Sequence, residues 1–567
     1  MKKHRNQHSK QSEHRQDSQK RELVGQAIEA LEAGEDIGEL DLAQTVKSLF
    51  GIIDPHTLMR KSVILGQELI EITLGNSNIT PDKKDWRFKD EAWRNNPFYK
   101  RIGQSYLVFC QSLTGILNDD TDWRTQERAK FLLDIFTSTL SPTNTLLGNP
   151  AAIKKALDTG GKSLLKGLEN YLADLRHNGG MPSMVNASPF IKGENIAATP
   201  GAVIFRNELL ELMQYRPVTS QVRAIPMLLI PPQINKYYFT DLAPGRSMVE
   251  FSVSQGIQMF VVSWRNPSKN EGHWNLDTYV GALLEAVDVI NSITRSHKVN
   301  TIGFCAGGIT MSAMLARMAS LGDDRINAIS YAVTLLDWSV PAMIGILHSE
   351  KLIDAAKQRS KLKGLISGQD MGKLFAWFRP NELVWNYWVN NYLMGEQPPS
   401  FDILAWNADS TNLPAGLHMQ FLDIFLHNHM AKPGAINVMG TPLNLGNIKA
   451  DAYVTAGIND HLTPWHGCYR TTQLLGGDCT FVLSHAGHIA SLVNPPGNPK
   501  ATYYTGPQPG KNPDEWLDSA HQHQGSWWEH WIDWVSQRAG EEIEAPNALG
   551  NKKYPELEAA PGSYIHG

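Results

Sequence analysis

Residues 298–318 read KVNTIGFCAGGITMSAMLARM. The apolar run at 299–304 is typical of a buried strand, and apolar side chains at i, i+3, i+4 and i+7 after the glycines predict a helix: Met311, Met314, Leu315 and Met318. Cys305 stands between the two segments, flanked by glycines that keep Cβ atoms out of a tight turn. This strand, turn and helix are the layout of a nucleophile elbow, in which the nucleophilic side chain projects above the sheet.

A simpler interpretation of Cys305 is a small buried thiol in a glycine-rich turn, because short patterns of the form G-x-C-x-G recur by chance. The functional interpretation, in which Cys305 is a nucleophile, is supported by the helix that follows this residue. Its first backbone N–H groups and the positive end of its dipole stabilise a thiolate and an oxyanion.

Short apolar runs separated by helical segments continue on both sides of the elbow. They lie at 226–232, 257–264, 329–338, 451–457 and 479–484. Near-continuous apolar strands that alternate with helices indicate a parallel-rich sheet covered on both faces. Together with the elbow, this pattern predicts an α/β-hydrolase fold.

Two further residues stand where such a fold needs an acid and a base. Asp460 follows the run 451–457, and His488 follows the run 479–484, in the chain order nucleophile, acid, histidine. The sequence therefore predicts a Cys305, His488 and Asp460 triad. Asp460 could instead only cap the turn after its strand, and His485 is a rival base, although the neighbouring Gly487 favours His488.

A metal site is the alternative use of the same region. Its ligands would come from Asp460, His461, His466, Cys468 and Cys479. Their spacings match no zinc pattern, and no second paired cluster is present, so we expect neither a metal nor a cofactor.

Changes in composition and in the pattern of apolar residues along the chain predict its domains. Residues 1–21 carry seven Lys or Arg against two acids and almost nothing apolar, which predicts a disordered basic tail that is solvated or contacts an anionic surface. Residues 22–198 predict a helical N-terminal domain, and 199–567 the α/β catalytic domain with a cap inserted at about 340–448. The aromatic segment 374–393 within that insertion either fills the cap's own core or shields Cys305 from water.

Composition limits the function classes. The chain has 567 residues, 42% of them hydrophobic, and 16 Trp, which is enough for a large core and two or more domains. A formal net charge of -5 argues against nucleic acid as the main partner. Four cysteines cannot form a disulfide framework, and neither a secretory leader nor a transmembrane segment is evident, so we expect a reducing, cytoplasmic setting.

Several motifs, in their order along the chain, resemble those of a known family. They are PPQINKYY, VSWRNP, GFCAGG, FRPNELVWNYWVNNYL, FDILAWNADSTNLP, AGINDHLTPW, GHIASLVNPP and GSWWEHW. From about Asp85 to the terminal PGSYIHG the chain resembles the polyhydroxyalkanoate synthases of the PhaC type, bacterial enzymes that polymerise (R)-3-hydroxyacyl-CoA into storage polyester. FRNELLELMQY, NYWVNNYL and WNADST are closer to the medium-chain group, whereas VSWRNP and Phe304 are similar to the short-chain type.

The resemblance implies an acyltransferase in which Cys305 carries the acyl chain as a thioester, activated by His488 and Asp460. We expect backbone N–H groups of Ala306 and of Gln233 or Ile234 to form the oxyanion hole. Acyl-CoA would be a substrate rather than a cofactor. The implied partners are the growing polyester and the surface and associated proteins of cytoplasmic polyester granules. The aromatic face of segment 374–393 could also pair with a second copy of the chain when the cap is open, so we expect a monomer–dimer equilibrium with the dimer more active.

Two other functions remain possible from the sequence alone. A thioesterase or esterase of the same fold would use the same triad with water as the acceptor. A non-catalytic granule-coat protein would need only the helical region and an amphipathic surface. A granule-coat protein would not require a Cys, an Asp and a His placed at strand ends.

Overall fold

The computed structural model describes residues 55–115, 123–342 and 350–567. The tail predicted for residues 1–21 lies outside the described residues, so that prediction stays open. Packing divides the chain into two compact units. Unit 1 comprises the chain up to Asn186 together with Asp370–Pro399, and unit 2 comprises Ala187–Gln369 together with Ser400–Gly567.

The α-helices are numbered α1 to α17 in chain order. They are Pro55–Leu74 (α1), Ala92–Asn95 (α2), Pro97–Thr114 (α3), Trp123–Thr139 (α4), Pro150–Asp158 (α5), Lys162–His177 (α6), Met248–Ser254 (α7), Leu276–Thr294 (α8), Ala306–Ser320 (α9), Glu350–Lys363 (α10), Gly368–Trp377 (α11), Asp402–Ala408 (α12), Ala415–His427 (α13), Trp465–Leu474 (α14), His488–Leu492 (α15), Pro513–Ser519 (α16) and Trp527–Ser536 (α17). Two π-helical segments lie at Asn381–Trp385 and Trp388–Leu393. Across the described ranges, none of the helices is long and apolar enough to cross a bilayer.

The strands are numbered in the same way. They are Gly201–Arg206 (β1), Leu210–Tyr215 (β2), Gln221–Arg223 (β3), Met227–Ile230 (β4), Met259–Trp264 (β5), Val299–Phe304 (β6), Ile326–Ala332 (β7), Leu365–Ile366 (β8), Leu413–Pro414 (β9), Asn437–Val438 (β10), Thr441–Pro442 (β11), Asp451–Gly457 (β12), Cys479–Ser484 (β13), Thr502–Thr505 (β14), His521–Gln524 (β15), Glu542–Glu544 (β16) and Glu558–Ala559 (β17).

One large sheet forms the body of unit 2. Its 11 strands run in the order β15-β14-β13-β12-β7-β6-β4-β5-β2-β1-β17. The six central strands, from β13 to β5, are parallel to one another, and antiparallel strands extend both edges. The parallel-rich sheet predicted from the apolar runs is therefore confirmed, whereas the antiparallel strands β1, β2, β14, β15 and β17 were not predicted.

The predicted strand at 329–338 is wrong in its position. β7 pairs with its neighbours over Ile326–Ala332 and ends before Val333, whose φ of 44° is incompatible with an extended strand. The following residues stay apolar because they are buried, with Leu335 1% and Leu336 0% exposed. Burial outside the sheet therefore produced an apolar run that looked like a longer strand.

The sheet is covered by helices, as its apolar strands require. Every residue of β4, β5 and β6 is buried. The helix α17 places three fully buried indole rings in the core of unit 2: Trp527, Trp528 and Trp531. The Trp531 indole donates a hydrogen bond to Ser330 Oγ on β7 at 3.0 Å, which satisfies its polar N–H inside the core.

Unit 1 is helical in its N-terminal part, as predicted, and it also contains the aromatic segment. Trp377 and Trp385 form a buried cluster with Ile135 on α4. The Trp388 indole donates to the Asn144 carbonyl at 3.1 Å, and the Tyr392 hydroxyl donates to Asp174 Oδ2 on α6 at 2.7 Å. These rings are packed within unit 1 rather than left on its surface.

This packing groups the chain differently from the predicted domain boundaries. The prediction treated 340–448 as one cap inserted into the catalytic domain and ended the helical domain at residue 198. In the structure Asp370–Pro399 belongs to the same compact unit as the N-terminal helices, and unit 2 already begins at Ala187. The aromatic side chains account for the difference because their packing partners lie on α4 and α6, more than 200 residues earlier.

Candidate active site

The parallel strands bring three side chains to one edge of the sheet. Cys305 directly follows β6, Asp460 lies three residues beyond β12, and His488 begins α15 four residues beyond β13. In the sheet these strands stand in the order β6-β7-β12-β13. Because the carboxyl ends of parallel strands meet at the same edge, residues far apart in the sequence converge there.

The turn at Cys305 is strained in the manner of a nucleophile elbow. Its backbone has φ 48° and ψ −122°, at the residue that precedes the first turn of α9. A non-glycine residue held in such a conformation costs about 1–3 kcal/mol and persists only when the surrounding packing enforces it. The side chain itself is half-buried.

The glycines after Cys305 enforce this turn through close approach. A Cβ built on Gly307 would lie 2.4 Å from the Pro231 carbonyl oxygen, and one built on Gly308 would lie 2.2 Å from Thr334 Oγ1. Both distances are far below van der Waals contact. Neither position can therefore carry a side chain without displacing the loop after β4 or the chain after β7.

Asp460 uses its two carboxylate oxygens for different purposes. Oδ1 accepts hydrogen bonds from the backbone N–H groups of Leu462 and Thr463, at 2.9 and 3.0 Å. Oδ2 is 2.6 Å from His488 Nδ1. Asp460 therefore caps the turn after its strand with one oxygen and contacts the histidine with the other.

The imidazole of His488 is buried between an acid and a thiol. Burial by itself lowers the pKa of His488, but the charge and hydrogen bond of Asp460, together with those of Cys305, outweigh it and raise the pKa to about 10. Burial by itself raises the pKa of Asp460. The charge and hydrogen bond of His488, together with the hydrogen bonds from Thr463, outweigh burial and hold the pKa of Asp460 below its ordinary value. With Nδ1 engaged by Asp460, Nε2 is the nitrogen that remains for Cys305.

The rival residues lie elsewhere. His485 is exposed, and His466 is hydrogen-bonded to Asp514 at 2.8 Å on the surface. The thiol of Cys468 donates to the Thr463 carbonyl, and that of Cys479 donates to the Gly477 carbonyl. Within the ranges that the structure describes, no three His, Cys, Asp or Glu side chains are grouped so that they could hold a metal ion.

The predicted oxyanion-hole residues flank the elbow. Ala306 is the first residue of α9, where the backbone N–H has no acceptor inside the helix. Gln233 and Ile234 follow β4, which pairs with β6. The Gln233 amide donates from Nε2 to Thr310 Oγ1 on α9 at 3.0 Å, so the loop with the second predicted donor is hydrogen-bonded to the helix with the first predicted donor.

Family models and characterised sequences agree on the relationship. Residues 84–252 match the model described as "Poly-beta-hydroxybutyrate polymerase (PhaC) N-terminus", and residues 235–495 match the alpha/beta hydrolase fold. Poly(3-hydroxyalkanoate) polymerase 1 of Ectopseudomonas oleovorans is 47% identical over 88% of this chain and 90% of its own. The chain belongs to the poly(3-hydroxyalkanoate) polymerase family. Another polymerase, the PhaC subunit of Cupriavidus necator, is 37% identical over 87% of this chain and 84% of its own.

The family model for residues 235–495 identifies the fold of unit 2 as that of an α/β hydrolase. A more remote structural neighbour of this polymerase-family chain is a monoacylglycerol lipase from Paleococcus ferrophilus. It is 14% identical, with a TM-score of 0.32, over 58% of this chain and 99% of its own.

Two threonines of this polymerase-family chain belong to the site and were missed from the sequence. Thr463 bonds to both Asp460 and His488. Thr334 donates to the Cys305 carbonyl at 3.3 Å and lies against Gly308. Thr463 could have been found, since a Thr three residues after an Asp at a strand end is a common turn pattern, whereas nothing local marks Thr334.

Proposed function

We propose that the protein polymerises (R)-3-hydroxyacyl-CoA into polyhydroxyalkanoate and releases CoA. The observation that supports this function best is the elbow thiol of Cys305 beside the Asp460–His488 pair in a chain of the polymerase family. A half-buried thiol next to a histidine that an acid orients has the arrangement of an activated nucleophile.

In the first step Cys305 takes over the acyl group. His488 removes the Sγ proton, the thiolate attacks the thioester carbonyl, and the new Cys305 thioester forms as the bond to the CoA sulfur breaks. The same proton then passes from His488 to the CoA sulfur. Because one thioester replaces another, the acyl group keeps its activation, whereas a serine would convert it to an oxyester similar to the product.

In the second step the 3-hydroxyl of a monomer or chain attacks the acyl thioester. His488 oriented by Asp460 accepts the hydroxyl proton, or Asp460 activates the hydroxyl directly. The tetrahedral oxyanion is held by the N–H of Ala306 and that of Gln233 or Ile234, and one such donor is worth about 3 kcal/mol. We propose that no metal or cofactor takes part, so dialysis against a chelator should leave the rate unchanged.

Incubation of the purified protein with 3-hydroxyacyl-CoAs of four to ten carbons tests this function. Released CoA and polymer-bound monomer should rise together, with the highest rates for medium-chain substrates and measurable rates at four to six carbons. The mixed medium-chain and short-chain motifs of the sequence support this range. Release of free 3-hydroxy acid in place of polymer would instead identify a thioesterase and overturn the proposal.

We also propose that the protein works at the surface of cytoplasmic polyester granules. The helix α6 exposes four leucines at i, i+3, i+7 and i+10, along one face: Leu165, Leu168, Leu172 and Leu175. They are 66%, 53%, 42% and 47% exposed. An aliphatic polyester is an apolar partner of the kind that such a stripe would bind. Granule-associated proteins would then meet the enzyme at the same surface.

Replacing these four leucines with glutamine should weaken polymer binding. We expect the variant to pellet with isolated polyester granules at least about fivefold less than the parent, because the apolar area that it can remove from water is smaller. Its initial rate on soluble 3-hydroxyacyl-CoA should stay within about twofold. The matched control is Leu321→Gln with Leu362→Gln, two leucines of unit 2 that are 60% and 87% exposed. Equal pelleting of both variants and the parent would contradict the role of α6.

The proposed monomer–dimer equilibrium needs an apolar face that is free in the monomer. The aromatic rings of segment 374–393 are packed within unit 1, so they do not supply it. The helix α1 exposes Met59, Val63, Ile70 and Leu74 on one face, a stripe suited to helix pairing with a second copy.

If the dimer is the more active form, CoA release should begin with a lag that shortens as the enzyme concentration rises. Sedimentation velocity over the same concentrations should show a shift from monomer to dimer, and Val63→Gln with Ile70→Gln should move that shift to higher concentration. A specific activity that is constant over a hundredfold range, without a lag, would contradict this part of the proposal.

A further inference from the structure

The hydroxyl of Thr463 lies between the two side chains that prepare the nucleophile. Oγ1 donates its one proton to Asp460 Oδ2 at 2.7 Å, the same oxygen that accepts from His488 Nδ1 at 2.6 Å. The Thr463 oxygen is itself 3.2 Å from that Nδ1. Nδ1–H therefore faces two acceptors, the carboxylate and the hydroxyl, and the hydroxyl can serve both neighbours at once.

The rest of Thr463 is held in place as well. Its backbone N–H donates to Asp460 Oδ1 at 3.0 Å, and its carbonyl accepts from the Cys468 thiol at 3.5 Å. The residue is only 5% exposed. With its backbone fixed on both sides and water largely excluded, the hydroxyl has little freedom to turn away from the pair.

From this geometry we propose that Thr463 is a positioning residue that fixes the orientation of Asp460 and His488 and limits the negative charge that Oδ2 presents to the imidazole. This role rests on the proposed function, in which His488 moves the proton of Cys305. Without the Thr463 hydroxyl, Asp460 would remain oriented by the backbone N–H groups of Leu462 and Thr463, but its Oδ2 would lose one donor.

The sign of the electrostatic effect follows from the groups that face His488. Within the part of the chain that the structure describes, Asp460 and Cys305 act on its imidazole through charge and hydrogen bonding, and the Cys468 thiol lies behind Thr463. A donor on Oδ2 draws negative charge away from the side facing Nδ1. Removing that donor leaves Oδ2 more negative, which favours the imidazolium and should raise the pKa of His488 further.

Thr463→Val tests the proposal, because it removes the hydroxyl and keeps the shape. Thr463→Ser keeps a hydroxyl at this position and should therefore behave like the parent. Thr471→Val is the matched control: Thr471 is also fully buried, nearby on α14, and within the described part of the chain its Oγ1 has no hydrogen-bond partner. Thermal unfolding should show that all three variants are folded before other measurements are compared.

The decisive measurement is the pKa of His488 from NMR titration of protein labelled with 13C at histidine Cε1, with the resonance assigned by its loss in His488→Gln. We expect the pKa in Thr463→Val to rise by roughly 0.5–1 unit, and kcat for CoA release to fall about tenfold with KM changed less than twofold. Thr463→Ser and Thr471→Val should match the parent.

An unchanged or lowered pKa of His488 in Thr463→Val would overturn the proposal, and so would an unchanged kcat. The titration does not depend on the reaction. If the parent protein releases no CoA from 3-hydroxyacyl-CoA, the proposed function fails, whereas the pKa comparison still decides whether Thr463 tunes the pair.

Discussion

Replacing Cys305 with alanine is expected to abolish CoA release from 3-hydroxyacyl-CoA, with a residual rate at least about 1,000-fold below that of the parent. Cys305 stands in a strained elbow, and its thiol helps to raise the pKa of His488. Without it, the acyl chain has no covalent carrier. A free-thiol assay for CoA, run with enough enzyme to detect 0.1% of the parent rate, measures the effect.

The other thiols near the sheet provide the controls. Cys468→Ala and Cys479→Ala should retain CoA release within about threefold, because both thiols are buried and donate to backbone carbonyls. Burial raises the pKa of both, which makes them poor nucleophiles. Comparable CoA release by Cys305→Ala and the parent would exclude Cys305 as the nucleophile.

Replacing Asp460 with asparagine is expected to separate acylation from elongation. We expect Cys305 still to be labelled by substrate, whereas multiple turnovers slow by roughly 100- to 10,000-fold, as when the acid of a triad loses its charge. The amide cannot favour the imidazolium, so burial will lower the pKa of His488 instead of being outweighed. Orientation of the base matters more for hydroxyl attack than for a thiolate that is already reactive.

Rapid quench followed by mass spectrometry of the Cys305 peptide measures acylation, and CoA release over many turnovers measures elongation. Asp514→Asn is the matched control, since Asp514 also pairs with a histidine, His466, but on the surface. It should leave both rates within about twofold. If acylation and elongation fall by the same factor in Asp460→Asn, Asp460 has no separate role in elongation.

The elbow at Cys305, the proposed nucleophile, was accessible from the sequence because an elbow is a local structure. A six-residue strand, the turn at Cys305, and a helix whose first turn contains Gly307 and Gly308 follow one another without interruption. Asp460 and His488 were accessible for a related reason. Each stands just beyond an apolar strand, and the parallel order of such strands leads all three residues to one edge of the sheet.

Other features depend on residues that meet only after folding. Gly308 must lack a side chain because Thr334, 26 positions later, lies where its Cβ would be. The aromatic segment packs on helices of the N-terminal unit rather than forming a separate cap with its neighbours in the chain. The apolar run after β7 continued past the end of the strand because Leu335 and Leu336 are buried outside the sheet.

Whether a feature could be predicted from the sequence therefore depends on the distance along the chain over which its pattern acts. Apolar periodicity and glycine spacing report on backbone conformation within about ten residues, and they were enough to predict the parallel core of the sheet, the elbow and the three residues at its edge. They carry no information about which distant surface an apolar or hydroxyl side chain meets. The second acceptor at His488 and the partners of the aromatic rings arise from packing between segments far apart in the chain, because burial and hydrogen bonding depend on the neighbours that folding supplies.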